Sequence, residues 1–293
     1  MVIGMGIMEN TEKMGDAGQI LWPEACDSAV IVTLNLDAEL FARAYYPEIE
    51  LFDSELAALG RAGIEVGLGR VLDALSAHEV SATAFVPGWV AQKYPDAVRT
   101  LTGRGHEVAC RGYAQENLGL LSEADQEEAI RKGMQALTDI CGKAPEGFRA
   151  PAGEFTERTL SIVKKLGFSY SSSLSDDDVP YFNRLESGGE LIEIPIHWPL
   201  SDLPYFMFNF WPPIPFGQAR ISCFDKVLTN WKWEYDGARR DHSCCVLQLD
   251  PTTMGDPGRI FMLEELLAYM RENGRPWFTT CARMARFMSE GAR

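Results

Sequence analysis

The chain has 293 residues, of which 46% are hydrophobic and 11% aromatic, and it is long enough for one large α/β domain. Its formal net charge is −15, from 42 acidic and 27 basic side chains, which argues against nucleic acid or an anionic membrane surface as a partner. No apolar run approaches the roughly 20 residues of a membrane-spanning helix.

The cysteines and the first residues indicate a compartment. Seven cysteines occur without regular spacing and without a Cys-x-x-Cys pair, a pattern that predicts free thiols in a reducing environment. Glu9, Glu12 and Lys13 follow a short apolar start, which is not the pattern of a secretory signal. We therefore expect a cytoplasmic protein.

The first half of the chain predicts strands that alternate with helices. Residues 1–28 are expected to be an N-terminal extension, on the surface or against a neighbouring subunit. The apolar run Ala29 to Leu34 is typical of a buried parallel strand, and Asn35 and Asp37 follow it. Helices are then predicted over 65–77, 96–103 and 123–140, and strands over 81–86, 106–110 and 147–149.

The second half continues the alternation. Helices are predicted over 156–166 and 257–272 and at the C-terminus, and strands over 168–170, 191–195, 244–249 and 277–279. Seven or eight β/α units in series indicate a parallel barrel, closed or incomplete, so that 29–293 would form one domain. Residues 203–224 break the alternation with an aromatic, proline-rich loop, predicted to be either a lid or an oligomer contact.

One segment carries a resemblance to a known family. GHEVACRGYAQ at 105–115 resembles the GHE…HGYxH signature of polysaccharide deacetylases of the NodB type, in which two histidines hold a catalytic metal. Four more stretches resemble that family in order: TLNLDAE at 33–39, FRAPAG at 148–153, IEIPIHW at 192–198, and LQLDP at 247–251 with GDPGR after it. The resemblance covers roughly residues 30–285 and implies a distorted (β/α) barrel of the NodB type.

The same resemblance implies roles for particular positions. Relatives near this branch carry Asp at the positions of Asn35 and Asp37, the first as general base and the second as metal ligand, and only Asp37 remains here. Arg149 stands where the family has an arginine that orients the base, and Asp250 replaces the histidine that acts as general acid. His197 and Trp198 belong to the stretch that forms one wall of the pocket.

The two histidine ligands are replaced by Arg111 and Gln115, neither of which binds zinc well. The chain has four histidines and no His-x-x-x-His pair, so a histidine-based metal site is not expected. These substitutions resemble a metal-independent branch of the same fold, cyclic amide hydrolases that include an allantoinase and bacterial imidases. The resemblance implies a homotetrameric hydrolase that opens small cyclic imides, such as succinimide or maleimide, without a cofactor.

An imide needs less activation than an acetamide, because its nitrogen is shared by two carbonyls and leaves as a stabilised amide anion. Asp37 or Asp250 is predicted to accept the proton of water, and Arg111 to hold Asp37 or polarise the carbonyl. Asn35 and Gln115 carry amide groups that suit the edge of an imide. The catalytic candidates are Asp37, Arg111 and Asp250, and the substrate-binding candidates are Asn35, Gln115, Arg149, His197 and Trp198.

Other interpretations stay open at this stage. The chain would also suit a catalytically inactive, carbohydrate-binding relative of the deacetylases, or a deacetylase with atypical metal ligands. Arg111 would equally suit a structural ion pair, and Asp250 a turn before Pro251. The thiol of Cys110 is expected to be a buried strand cysteine rather than a nucleophile.

Overall fold

The computed structural model describes residues 21–41, 55–151, 155–207 and 222–291. In these ranges nine strands form one curled sheet in the order β6-β7-β5-β4-β3-β2-β1-β8, with β9 paired to the first half of β1. The strands are β1 Ser28–Asn35, β2 Thr83–Val86, β3 Glu107–Cys110, β4 Gly147–Phe148, β5 Tyr170–Ser171, β6 Tyr181–Arg184, β7 Glu190–Glu193, β8 Cys244–Leu249 and β9 Pro276–Thr279.

Strand β1 lies inside the sheet, between β2 and β8, and its sequence is apolar on both faces. It pairs in parallel with β8 from Ala29 to Leu34 and with β2 over its last three residues. Every β1 residue except Asn35 is buried, as expected for a strand covered on both sides. Its carboxyl end therefore places Asn35 and Asp37 at one edge of the sheet, between the ends of β2 and β8.

Helices surround the sheet. They are α1 Glu55–Ala62, α2 Leu68–Ala77, α3 Gly88–Lys93, α4 Pro95–Gly103, α5 Glu123–Cys141, α6 Glu157–Lys165, α7 Leu203–Phe206, α8 Phe224–Arg240, α9 Pro251–Met254, α10 Pro257–Glu272 and α11 Cys281–Gly291. Local chemistry explains their ends: α5 begins where the Ser122 side chain accepts the amide of Asp125, and it ends at Gly142, whose φ is +71°.

The expected distorted (β/α) barrel of the NodB type is confirmed, in a partly open form. The sheet is parallel except for β6, which pairs antiparallel with β7 and was not among the expected strands. An isolated parallel bridge joins Ser201, beyond β7, to Gln248 in β8 and brings the two ends of the sheet towards each other.

Two expectations fall partly outside the described ranges. Most of the predicted N-terminal extension, residues 1–20, lies there, but Trp22 is buried against Trp277 and Phe287 at ring-centroid distances of 6.3 and 6.1 Å. Residues 208–221 of the aromatic loop also lie outside, so its role as lid or contact stays a prediction. No helix within the described residues has the length and apolar character needed to cross a bilayer.

Close backbone packing supports the loop after β8. A π-turn, Gly63–Gly67, joins α1 to α2 and lies directly on α9. A Cβ atom added at Gly63 would lie 2.6 Å from the Cα atom of Thr252, and one at Gly67 would lie 2.3 Å from the carbonyl oxygen of Pro251. The backbone of Gly63 and Gly67 therefore packs closely against the segment that begins at Asp250.

Candidate active site

A cavity of about 320 Å³ opens at the carboxyl ends of the strands. It collects side chains that follow five different strands: Asn35 and Asp37, Arg111 and Gln115, Arg149, Ser173, and Asp250. Its volume is at the small end of the range for ligand pockets, which suits a small ring better than a long polymer. Catalytic residues in barrel folds lie at this end of the strands.

Arg111 and Asp37 form the central ion pair of the cavity. Nε of Arg111 donates to Oδ1 of Asp37 at 2.7 Å, and Nη2 donates to Oδ2 at 3.1 Å. Nη1 of Arg111 donates to the carbonyl oxygen of Ala150 at 2.9 Å, so all three guanidinium nitrogens are held. Both side chains are buried, and a two-point, charge-assisted contact of this kind is strong and specific in direction.

Arg149 braces the floor of the cavity. It is buried, stacks at 3.9 Å on the Phe85 ring, and donates through Nε and Nη2 to Ser172. Burial lowers the pKa of Arg149 to about 10, so it remains a cation at neutral pH. Nη1 donates to Thr33 at 2.9 Å and to Oδ1 of Asn35 at 3.2 Å. Since guanidinium only donates, the amide oxygen of Asn35 must face Arg149, which leaves its NH₂ group as the remaining donor.

Gln115 combines a strained backbone with an unpaired side-chain oxygen. Its φ is +61°, in the left-handed region that non-glycine residues seldom adopt. Its Oε1 atom is buried and has no hydrogen-bond partner among the residues that the structure describes. A buried acceptor left unpaired costs free energy, so the side chain is suited to a donor brought by a ligand.

Asp250 is held in place by two backbone contacts. Its Oδ1 atom accepts the amide of Thr252 at 2.7 Å and begins α9, while its own amide donates to Oδ2 of Asp202 at 2.9 Å. Burial, and then the negative charge of Asp37, raise the pKa of Asp250 to about 7. Burial, and then the charge of Asp250, raise the pKa of Asp202 well above its ordinary value.

Seven of the eight predicted site residues line this cavity. Trp198 is among them, at the rim, with 66% of its surface exposed. His197 is the exception: its Nε2 atom lies 3.3 Å from Asp178, and only its backbone carbonyl, which accepts from Gln248, is tied to the site. The structure does not bring the His197 imidazole together with the other predicted residues.

The structure adds residues that were not predicted. Asp202, Gln248 and Ser173 line the cavity as well. Gln248 stands two residues before Asp250 in the same motif, and this closeness was the available signal for it. Cys110 is fully buried, and burial raises the pKa of its thiol to about 12, in line with the expected inert strand cysteine.

The residues present do not fit the divalent cation of the deacetylases. Both oxygens of Asp37 accept N–H groups from Arg111, and a guanidinium offers a metal no lone pair. Within the described ranges, no group of three or more His, Cys, Asp or Glu side chains could hold a metal ion.

The curled sheet, with its cavity at the carboxyl ends of the strands, has the NodB-type deacetylase fold. A solved Mycobacterium smegmatis structure described as a candidate polysaccharide deacetylase is 29% identical, covers 94% of this chain and 95% of its own, and has a TM-score of 0.86. The solved PuuE allantoinase is 21% identical with 93% of each chain covered and a TM-score of 0.78, which is a likeness of fold.

Sequence comparison leads to the same family. Residues 62–171 match the polysaccharide deacetylase family profile. A peptidoglycan deacetylase of Helicobacter pylori is 28% identical over 247 residues, 73% of this chain and 81% of its own. Over these stretches the chain is similar to polysaccharide deacetylases, a class of hydrolases.

Proposed function

We propose that this protein hydrolyses small cyclic imides, such as succinimide and maleimide, to half-amides without a metal. One observation carries the proposal: a guanidinium, Arg111, is seated on both oxygens of Asp37 where the superfamily resemblance places a metal. The side chains around it are amides and carboxyls that face a small cavity. The fold shared with an enzyme named allantoinase is in line with a cyclic amide substrate.

The reaction begins with water activated by a carboxylate. A carboxylate has about four lone-pair directions, and Arg111 uses one on each oxygen of Asp37, so Asp37 can still accept a proton from water. Asp250 is the other candidate base, because its pKa of about 7 leaves it partly ionised at neutral pH. General-base assistance of this kind is worth about 10²–10⁴-fold in rate.

The ring carbonyl is polarised by fixed donors. The NH₂ group of Asn35, oriented by Arg149, and the guanidinium of Arg111 both border the cavity and can stabilise the oxyanion. This modest assistance is enough for an imide carbonyl, because the second acyl group already withdraws electron density from the nitrogen. Side chains alone therefore provide what an acetamide would need a metal to provide.

An imide ring also matches the unpaired acceptor. The N–H group between the two carbonyls is a donor, and within the described ranges Oε1 of Gln115 has none. Phe41, Phe155 and Ile196 give the cavity an apolar side against which a flat ring can lie. We propose that Gln115 recognises the ring N–H, so that N-alkylated imides bind less well.

The convergence of these groups favours an enzyme over an inactive, carbohydrate-binding relative. An inactive relative has no need to keep Asp37, Arg111 and Asp250 buried around one cavity, because buried charges are costly to retain. A deacetylase with atypical ligands would need lone pairs where Arg111 offers only donors. We also propose, on the same resemblance, a cytoplasmic homotetramer, which light scattering of the purified protein tests for its oligomeric state.

The test is ring opening of succinimide by protein dialysed against a chelator, followed by chromatographic detection of succinamic acid. We expect turnover that neither the chelator nor added zinc changes, and that Asp37→Asn abolishes. Absence of ring opening contradicts the proposal, and so does turnover lost with chelator and restored by zinc. Release of acetate from a chitooligosaccharide by the same protein would support the deacetylase alternative.

A further inference from the structure

We infer that Asp202 is a further catalytic residue of this cavity, the acid that gives a proton to the departing ring nitrogen. The inference rests on the proposed imide hydrolysis. Asp202 lines the cavity and is 1% exposed. Its amide donates to the carbonyl oxygen of Gln248 at 3.0 Å, next to the bridge between Ser201 and Gln248. Its backbone is thus fixed to the end of β8.

The carboxyl group of Asp202 is placed beside Asp250. Its Oδ2 atom accepts the backbone amide of Asp250 at 2.9 Å, and this is the hydrogen bond that fixes the side chain. Oδ1 is left as the oxygen that can carry a proton. Asp202 directly precedes α7, and its carboxyl group joins the segment after β7 to Asp250 at the end of β8, with both residues lining the cavity.

The charges around Asp202 favour its neutral form. Asp250 is the negative neighbour of Asp202, and the positive charge of Arg259 on α10 opposes it. Asp37, beyond Asp250, is paired with Arg111. Arg259 is engaged elsewhere, donating through Nη1 to the carbonyl of Thr253 and pairing with Asp256 at 3.2 Å. Two adjacent buried carboxylates repel each other, so one of them holds a proton at neutral pH. Asp250 accepts the amide of Thr252 at 2.7 Å and lies near the positive charge of Arg111, and both favour its ionised form. Burial raises the pKa of Asp202 well above its ordinary value, so we assign the proton to Asp202.

With Asp202 as the acid, every proton in the proposed reaction is accounted for. Oxygen of water bonds to the ring carbonyl carbon while Asp37 or Asp250 takes one water proton. The tetrahedral intermediate collapses, the carbon–nitrogen bond breaks, and its electron pair goes to nitrogen. Nitrogen takes the proton of Asp202, and the product is an acid at one end and a primary amide at the other. The proton held by the base returns to Asp202, so the net reaction adds one water.

A change of leaving group tests this role. Succinimide departs as an amide nitrogen that needs a proton, whereas N-hydroxysuccinimide departs as a hydroxamate that is stable as an anion. In Asp202→Asn the amide oxygen can still accept the Asp250 N–H, so the fold is kept. We expect kcat to fall by about 100-fold for succinimide and by less than about 10-fold for N-hydroxysuccinimide, with KM nearly unchanged.

The outcomes separate the two proposals. Equal losses on both rings, or no loss on succinimide, in an active wild-type background overturn the role of Asp202 alone. Wild-type protein that opens neither ring overturns the proposed function and this inference together. Asp202→Glu keeps an acid at the position, so we expect its kcat on succinimide to be higher than that of Asp202→Asn. If the two variants have the same thermal stability and the same kcat, the inference is also contradicted.

Discussion

Nε and Nη2 of Arg111 donate to the two carboxylate oxygens of Asp37 at 2.7 and 3.1 Å, joining the end of β3 to the end of β1. The contact is buried on both sides, so each charge depends on the other for its compensation. This geometry gives Asp37 one fixed direction towards the cavity. It also makes Arg111 part of the fold and of the site at once.

Arg111→Lys is expected to lower both activity and stability. Lysine keeps the charge but cannot make the two parallel contacts or reach Ala150 at the same time. We expect kcat on succinimide to fall by about 10²–10³-fold and the free energy of unfolding to fall by about 2–4 kcal/mol. Arg99→Lys is the matched control, because Arg99 pairs with Asp96 at 2.7 Å on the exposed surface. A variant at Arg111 as active as that control would remove the guanidinium from the mechanism.

The pH profile should report the ionisation of Asp250. Its pKa of about 7 means that the carboxylate form grows as the pH rises from 6 to 8. If Asp250 takes the proton of water, kcat/KM rises through that window and levels off above it, and Asp250→Asn removes the rise. We expect that result, with Asp37→Asn reducing activity at every pH. If the rise in kcat/KM with pH persists in Asp250→Asn, it reports the ionisation of another group.

Part of this site could be predicted from sequence because the end of a strand is indicated by the residues next to it in the chain. The apolar run before Asn35 and the motifs around Arg111 and Arg149 predict the carboxyl ends of three strands, and parallel strands bring those ends to one edge. Asp202 could not be predicted in the same way. Its approach to Asp250 depends on a bridge between Ser201 and Gln248, which are 47 residues apart in the chain.

Side-chain direction and several helices, α8 among them, could not be predicted from the sequence either. His197 stands beside Trp198 in a wall motif, but its imidazole turns to Asp178, a residue on a separate loop. Helix α8 was not among the predicted elements, although Trp231 and Tyr235 are buried at helical spacing within it. The preceding aromatic segment masks that periodicity, because apolar residues occur there at almost every position.

Glu193 should make the fold less stable as the pH rises. Its Oε1 atom accepts the amides of Ser173 and Leu174 at 2.6 and 2.9 Å, and in the described part of the chain no group donates to the buried Oε2. Burial raises the pKa of Glu193 to about 7. The folded state therefore keeps a proton that the unfolded chain releases above about pH 4, and stability declines from there up to about pH 7.

Glu193→Gln should remove that decline, since glutamine keeps the acceptor for both amides and carries no charge. We expect the variant to gain about 2–3 kcal/mol over wild type between pH 5 and pH 8 in urea unfolding. Glu190→Gln is the control on the same strand, because Glu190 is exposed and pairs loosely with Arg184 at 3.5 Å. Parallel pH profiles for wild type and Glu193→Gln would mean that Glu193 titrates normally.

Gly63→Ala should disturb the loop that holds Asp250. An added Cβ atom would lie 2.4 Å from Oγ1 and 2.6 Å from Cα of Thr252, so backbone must shift. We expect a loss of about 1–3 kcal/mol in stability together with lower turnover. Gly69→Ala is the matched control: it lies in α2 with open space around it, and alanine there should add about 0.5–1 kcal/mol. Equal effects of the two substitutions would refute the packing argument.

Restoring ligands at two positions should create a metal site beside Asp37. In the double variant Arg111→His with Gln115→His, the guanidinium no longer occupies the carboxylate, and two imidazoles stand where the superfamily resemblance places its metal ligands. Histidine also tolerates the positive φ of 61° at position 115 better than bulky apolar residues do. We expect about one zinc ion per chain by elemental analysis after dialysis, and loss of succinimide turnover because the fixed cation is gone. Gln115→His alone is the control, since Arg111 still holds both oxygens of Asp37, and it should bind no more zinc than wild type. Zinc retained equally by the control and the double variant would show that Arg111 is not what keeps the cation out.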